Sequence, residues 1–212
     1  MLPLLLGHRG ARASRQIPEN TMASFELCLE HGCDGFEFDV RCSKDGCAVI
    51  CHDPVIAGLE IEQTPANDLN LPTLEQVLQR FSSQAFLDIE LKVAGLETQT
   101  LTALRTYPPQ RGYVVSSFLP PVLSALNALD PSIPLGFLYD RPNQLPPPEL
   151  PLTWVIPHSK LLDQKLVDEV HSSRRNVMVW TVNDVVAMRK LASWGVDAII
   201  SDDTELLVRS IR

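Results

Sequence analysis

Four short motifs place charge where apolar runs end: His8-Arg9-Gly10, Glu37-Phe38-Asp39, His52-Asp53 and Glu90-Leu91-Lys92. Together they supply what metal-assisted cleavage of a phosphodiester needs. Carboxylates bind a hard cation, two imidazoles can move protons, and Arg and Lys can hold phosphate oxygens.

The spacing says which of these side chains can meet. Glu37 and Asp39 alternate with Phe36, Phe38 and Val40. In a strand both carboxylates therefore share one face, and the aromatic rings turn outward onto helices. Glu90 repeats the pattern, with Asp88, Glu90 and Lys92 opposite Ile89 and Leu91. Carboxylates so placed repel unless positive charge lies between them. Arg9 and Lys92 could supply it as a buried ion-pair network. Mg²⁺ or Ca²⁺ could supply it too, bound by Glu37, Asp39, Glu90, waters and a phosphate oxygen. No His/Cys set has the spacing of a tetrahedral zinc site.

His8 and His52 are the candidates for general acid and base. His31, His158 and His171 lack such company, although His158 follows an apolar run and can line the same mouth. Arg9 and Lys92 suit the non-bridging oxygens of a phosphate. Trp180 can wall the alcohol portion of a substrate or fill the core. Within Pro18-Glu19-Asn20-Thr21, Glu19 or Asn20 can brace His8 or Arg9, or the segment can simply start a helix.

The elements that must position these groups alternate along the chain. Apolar runs read as strands at Leu4 to Leu6, Phe36 to Val40, Ala48 to Cys51, Phe86 to Leu91, Tyr113 to Val115, Leu135 to Tyr139, Trp154 to Ile156, Val177 to Val182 and Ala198 to Ile200. Helices are predicted from Asn20 or Thr21 to near Gly32, from Thr73 through Phe81, over Leu162 to Val170 and over Asp184 to Trp194. Alternation of this kind implies parallel βαβ units. The run Ala48 to Cys51 is one strand too many for an eight-stranded barrel. Lys44-Asp45-Gly46-Cys47 resolves it, because Asp-Gly signals a two-residue hairpin turn. That register pairs Lys44 with Cys47 and sets Asp39 opposite His52. The expected fold is therefore α/β: a TIM (β/α)8 barrel with an extra hairpin strand at the catalytic end, where polar groups end successive strands.

Length and composition bound the rest. The 212 residues suffice for one large core, and no low-complexity linker divides them. The five prolines between Pro142 and Pro151 lie between strand-like runs, so a single domain over 1–212 is expected. A net charge of −8 argues against nucleic acid as a partner. The five cysteines follow no framework spacing and read as reduced thiols of a cytoplasmic protein. Met1 to Leu6 is too short for a signal peptide, and no run approaches a membrane span. No exposed apolar or basic segment suggests stable membrane association. A homodimer through the outer helices is left open.

In order, the chain carries His8-Arg9-Gly10, Pro18-Glu19-Asn20-Thr21, Glu37-Phe38-Asp39-Val40, Lys44-Asp45-Gly46, His52-Asp53-Pro54, Ile89-Glu90-Leu91-Lys92, Ser117-Phe118, Trp180-Thr181-Val182-Asn183 and Gly195-Val196-Asp197-Ala198-Ile199-Ile200-Ser201-Asp202. From residue 4 to about residue 207 it resembles the glycerophosphodiester phosphodiesterase family. The resemblance implies a barrel that hydrolyses glycerophosphodiesters to glycerol 3-phosphate and an alcohol. It also implies His8 and His52 as the acid/base pair, Glu37, Asp39 and Glu90 as metal ligands, and Arg9 and Lys92 as phosphate contacts. One departure stands out. Family members usually follow His-Asp-Pro with an Arg-Thr-Thr-like stretch and an insertion of several tens of residues, whereas here only Val55 to Pro72 precedes the next helix. A more open pocket is expected, with substrate identity less fixed than reaction type. The same constellation also serves a barrel phospholipase acting on lysolipids or sphingolipids, and a barrel that binds a phosphorylated metabolite without turnover.

Overall fold

Eight parallel strands close on themselves in the computed structural model, which describes residues 2–144 and 146–212. In chain order the elements are β1 (Leu4–His8), α1 (Met22–Glu30), β2 (Gly35–Cys42), β3 (Ala48–Ile50), β4 (Val55–Ile56), β5 (Leu59–Glu60), α2 (Ala66–Leu69), α3 (Leu74–Phe81), β6 (Phe86–Leu91), α4 (Glu97–Thr106), β7 (Tyr113–Ser117), α5 (Pro120–Leu129), β8 (Leu135–Tyr139), β9 (Trp154–Pro157), α6 (Gln164–Ser172), β10 (Asn176–Val179), α7 (Val185–Ser193), β11 (Ala198–Ser201) and α8 (Thr204–Ile211). The barrel runs β1, β2, β6, β7, β8, β9, β10, β11 and closes through β1 on β11. This is the TIM architecture expected from the alternation.

The alternation also sets what is buried where. Outward Phe36 stacks on Phe25 of α1 at 4.3 Å between ring centroids, and Phe81 of α3 meets Phe36 edge-on at 5.1 Å. Each such ring contributes roughly 1.5–3 kcal/mol by burial. Inward Leu6, Val114, Leu138, Ile156, Met178 and Ile200 plug the barrel. Helix starts are fixed by side-chain oxygens: Thr21 caps α1, Thr73 caps α3, and Asp163, Asp184 and Asp203 cap the last three helices.

The extra strand β3 lies antiparallel on the far half of β2, beyond the end of β1 at His8. Its register differs by one residue from the sequence expectation. Val40 pairs with Ile50 and Cys42 with Ala48. Cys51, not His52, therefore lies opposite Asp39, with the Cys51 N–H on the Asp39 carbonyl. The physical reason is the turn. Ser43 closes on Cys47 around three residues, and Gly46 takes φ +81°, the left-handed position that ends a three-residue hairpin loop. A one-residue slip would send His52 to the wrong face. The chain instead leaves the strand after Ile50, and this turn carries the imidazole to the mouth.

Val55 to Pro72, read from sequence only as a connector, has structure of its own. Strands β4 and β5 form a small hairpin through Ala57 and Gly58, both at positive φ. Ile61 and Leu69 pack on Val49 and Cys51, which holds this segment against the hairpin that carries His52. The run at Val177 ends as a strand at Val179, and Trp180 forms a single bridge with His158.

One glycine is dictated by strand packing. A Cβ at Gly35 would overlap the backbone carbonyl oxygen of Phe86 on the neighbouring strand. Gly35→Ala is therefore expected to lower unfolding free energy by about 1–3 kcal/mol, because backbone on both sides must move. Denaturant unfolding with an unchanged midpoint would contradict this packing.

Candidate active site

Three buried carboxylates converge at the C-terminal end of the barrel. Glu37 and Asp39 of β2 and Glu90 of β6 are 3%, 1% and 6% exposed. One oxygen from each lies within 4.8 Å of the other two. The β2–β6 register sets Asp39 beside Glu90 and Glu37 beside Asp88, so the cluster follows from strand pairing rather than from any loop.

Two side-chain cations share the site. Lys92 Nζ lies 2.6 Å from Glu90 Oε1 and 3.3 Å from Asp39 Oδ1, and Arg9 Nε lies 3.3 Å from Asp39 Oδ2. Asn20 Nδ2 donates to Asp39 Oδ2 at 2.8 Å. Burial pushes Asp39 up, but Lys92, Arg9 and the Asn20 amide outweigh it and hold the carboxyl below its usual range. Glu37 fares otherwise: burial, then Asp39, Glu90 and Asp88, drive its pKa well upward against the pull of Arg9. Burial and Asp39 push Glu90 up to about 7, against the pull of Lys92. Asp88, one layer deeper, is raised to about 7 by burial, opposed by a 2.6 Å hydrogen bond from Ser116 Oγ.

Fully ionised, the cluster would hold more negative charge than its two cations offset. Glu37 Oε1 is buried with no hydrogen-bond partner, and Asp39 Oδ1 and Glu90 Oε1 have only the poorly aligned contacts of Lys92. Buried anionic oxygens left so are costly. An all-oxygen donor set with unused lone pairs fits a hard divalent cation.

Arg9 connects this cluster to its surroundings through backbone and side chain alike. It sits at φ +55°, a conformation that costs a non-glycine residue about 1–2 kcal/mol. That position aims its N–H at Glu37 Oε2, 2.9 Å away, while the Asn20 N–H and Ser24 hydroxyl donate to its carbonyl. Arg9 Nη1 donates to Glu19 Oε1 at 2.7 Å. Of the two residues expected to brace His8 or Arg9, Glu19 holds the Arg9 guanidinium, and Asn20 holds the Arg9 carbonyl through its N–H while its side chain reaches Asp39.

The imidazoles flank the carboxylates. His8 Nδ1 lies 2.7 Å from Asp202 Oδ1, and its Nε2 lies 3.9 Å from Glu37 Oε2. Burial works against the Asp202 carboxylate, but His8, Asn183 and Arg12 outweigh it and hold its pKa well below the usual range. An ionised Asp202 can only accept, so Nδ1 carries the proton and Nε2 faces the cluster. His52, one-third exposed, pairs Nδ1 with Asp53 Oδ1 at 2.7 Å. Burial lowers its pKa despite Asp39 and Asp53, which leaves the ring neutral at neutral pH and able to accept a proton.

Both imidazoles, Arg9, Glu37, Glu90 and Lys92 open onto one cavity of about 230 Å³. The rest of its lining is Phe118, Leu138, Trp180, Ile200 and Asp140. Trp180 is fixed there by its indole N–H on the Ile156 carbonyl, 3.1 Å, and by edge-to-face contacts with Phe118 and His158. Of the two sequence readings for this ring, it lies on the cavity wall. A wider depression of about 1020 Å³ beside α1 and α3 has Arg80 as its only charged side chain among the described residues.

Sequence reasoning missed the Asp202 network. Arg12 joins Glu19 to Asp202 with contacts of 2.5 and 3.0 Å, and Asn183 Nδ2 donates to Asp202 Oδ2 at 2.6 Å. The available signal was Ser201-Asp202, the polar end of the last strand. Asp202→Ala is expected to cost roughly 10–100-fold in kcat with little change in KM, since it frees the His8 ring without removing it. Unchanged kcat would remove Asp202 from the positioning of His8.

Comparisons with known proteins were consistent along the chain. The model of the glycerophosphoryl diester phosphodiesterase family matches residues 8–102 and 58–206. A glycerophosphodiester phosphodiesterase of Caldanaerobacter subterraneus is 28% identical across all of this chain and 99% of its own. That alignment runs over 244 positions, so the relative carries segments that these 212 residues lack. Among solved structures, an Oleispira antarctica phosphodiesterase in complex with the product sn-glycerol-3-phosphate is 28% identical, with a TM-score of 0.85 over 99% of this chain and 97% of its own. A glycerophosphodiester phosphodiesterase of Thermotoga maritima is 26% identical, with a TM-score of 0.85 over 99% and 98%.

Proposed function

The chain belongs to the glycerophosphoryl diester phosphodiesterase family, and from that premise we propose that it hydrolyses a glycerophosphodiester to glycerol 3-phosphate and an alcohol. The observation that carries the reading is the buried triad of Glu37, Asp39 and Glu90, with its unpartnered Glu37 oxygen and an imidazole on either side.

Glu37, Asp39 and Glu90 would hold Mg²⁺ or Ca²⁺, which when bound offsets charge on the phosphoryl oxygens in the transition state. Lys92 and Arg9 add positive charge where the phosphate enters. One imidazole accepts the proton of the nucleophile as the new P–O bond forms; the nucleophile is water, or the neighbouring glycerol hydroxyl, in which case a water must then open the cyclic phosphate to give glycerol 3-phosphate. The other imidazole gives a proton to the leaving alcohol oxygen as its P–O bond breaks. His8 is held for this by Asp202, and His52 by Asp53. Trp180 walls the alcohol, while Glu19 and Asn20 keep Arg9 and Asp39 in place.

The carboxylates give this reading a pH test. Glu90 titrates near 4.3 in an unfolded chain but at about 7 in the cation-free fold. A raised pKa means the native state binds the extra proton, so this stabilisation is full below about pH 4 and lost as pH rises through 7. A bound cation replaces that proton. The difference in Tm between protein with Mg²⁺ or Ca²⁺ and protein with chelator should therefore widen from pH 5.5 to pH 8. A difference that stays flat would mean these carboxylates do not hold the cation.

A further inference from the structure

The half of the mouth cavity opposite the carboxylates carries a charge that the hydrolytic chemistry leaves unused. Strand β8 ends at Tyr139 and is followed by Asp140, which lines the cavity with Phe118, Leu138 and Trp180. Among the described residues no hydrogen bond reaches the Asp140 carboxylate. Its nearest cation is Arg141, with Nε 3.7 Å from Oδ1, an exposed pair of the kind that contributes little in water. His158, which feels the Asp140 charge together with that of Lys160, sits edge-on to Trp180 with 5.1 Å between ring centroids. Trp180 itself is held by its indole N–H and by Phe118 at 5.5 Å.

A neutral polyol held on this side would need donors and acceptors. Phe118, Leu138 and Trp180 offer carbon surface instead, with the Asp140 carboxylate at the rim. Aromatic faces beside a carboxylate held only by a long, exposed ion pair suit an alkylammonium group, whose charge is attracted by both and whose methyl or methylene groups pack on the rings. Lys92 Nζ, 5.7 Å from the Phe118 ring, already places a cation beside this wall.

We infer that Asp140 is a specificity-determining residue that favours glycerophosphodiesters whose alcohol carries an ammonium group, with Trp180 and Phe118 as the packing surface. This rests on the hydrolase reading above and adds the chemical class of the leaving alcohol.

The test compares glycerophosphocholine with its neutral carbon isostere, the 3,3-dimethylbutyl diester, under glycerol 3-phosphate release with a divalent cation present. The pair differs in charge and hardly in shape. The chain should favour the choline diester roughly 5–10-fold in kcat/KM, chiefly through KM. Asp140→Asn should bring that ratio to about 2 or below, leaving kcat/KM for the isostere within about twofold, which also shows that the variant is folded and competent. A ratio near one in the unaltered chain, or a preference that persists in Asp140→Asn, overturns the inference while the hydrolase reading stands. Release from neither diester overturns the hydrolase reading and the inference with it.

Discussion

Glu37→Ala is expected to lower cation-dependent turnover by ~10³-fold or more, the largest single loss in this molecule. The size follows from what the side chain does. Glu37 contributes one of the three oxygens that converge within 4.8 Å, and its Oε2 accepts the Arg9 N–H at 2.9 Å. Its removal weakens the cation site and frees the loop at φ +55° that positions Arg9. Glu37→Gln separates the two effects. The amide keeps an oxygen for the Arg9 N–H but removes the negative charge and one of the two donor oxygens. Turnover in Glu37→Gln should stay low and recover in part at high cation concentration. Full activity at ordinary cation levels would contradict Glu37 as a ligand.

His52→Ala is expected to lower kcat by at least ~10²-fold with KM changed little. The ring is one-third exposed and its one side-chain partner, Asp53, is mostly exposed, so the substitution opens no core cavity and Tm should barely move. That separates a chemical role from a structural one. His8 is harder to read by deletion, because its ring is mostly buried and tied to Asp202. Near-normal turnover in His52→Ala would end its assignment to proton transfer.

Much of this site is legible because strand geometry is local. Alternation alone puts Glu37 and Asp39 on one face and Phe36 and Phe38 on the other, and the β2–β6 register then brings Glu90 alongside. Asp88 shares the face of Glu90 and lies in the barrel against Ser116. The hairpin strand was equally visible in Asp45-Gly46, but its register was not. The same dipeptide closes a two-residue or a three-residue loop, and the choice turns on where Gly46 takes positive φ. The small β4–β5 sheet has only two residues a side, Val55–Ile56 and Leu59–Glu60, too few for an alternation to be read. Asp202 was hidden for a different reason. It meets His8 across 194 residues, and nothing local to either marks the pair. Closure of the barrel, β1 on β11, is what joins them.

The order of the elements also explains why charge gathers at one rim. Parallel strands deliver polar residues to the same end: His8, Asp39, Glu90, Asp140, His158 and Asp202 lie at or near the C-terminal ends of six of the eight barrel strands. The opposite rim receives only the helix-to-strand returns.

The measurement that bears most directly on this site is release of glycerol 3-phosphate from glycerophosphodiesters, run with Mg²⁺, with Ca²⁺ and with chelator, beside Glu37→Ala. Release that needs the cation and is lost in Glu37→Ala is the expected result. Release that survives both chelation and the substitution, or no release from any diester with either cation, would contradict the metal-assisted phosphodiesterase.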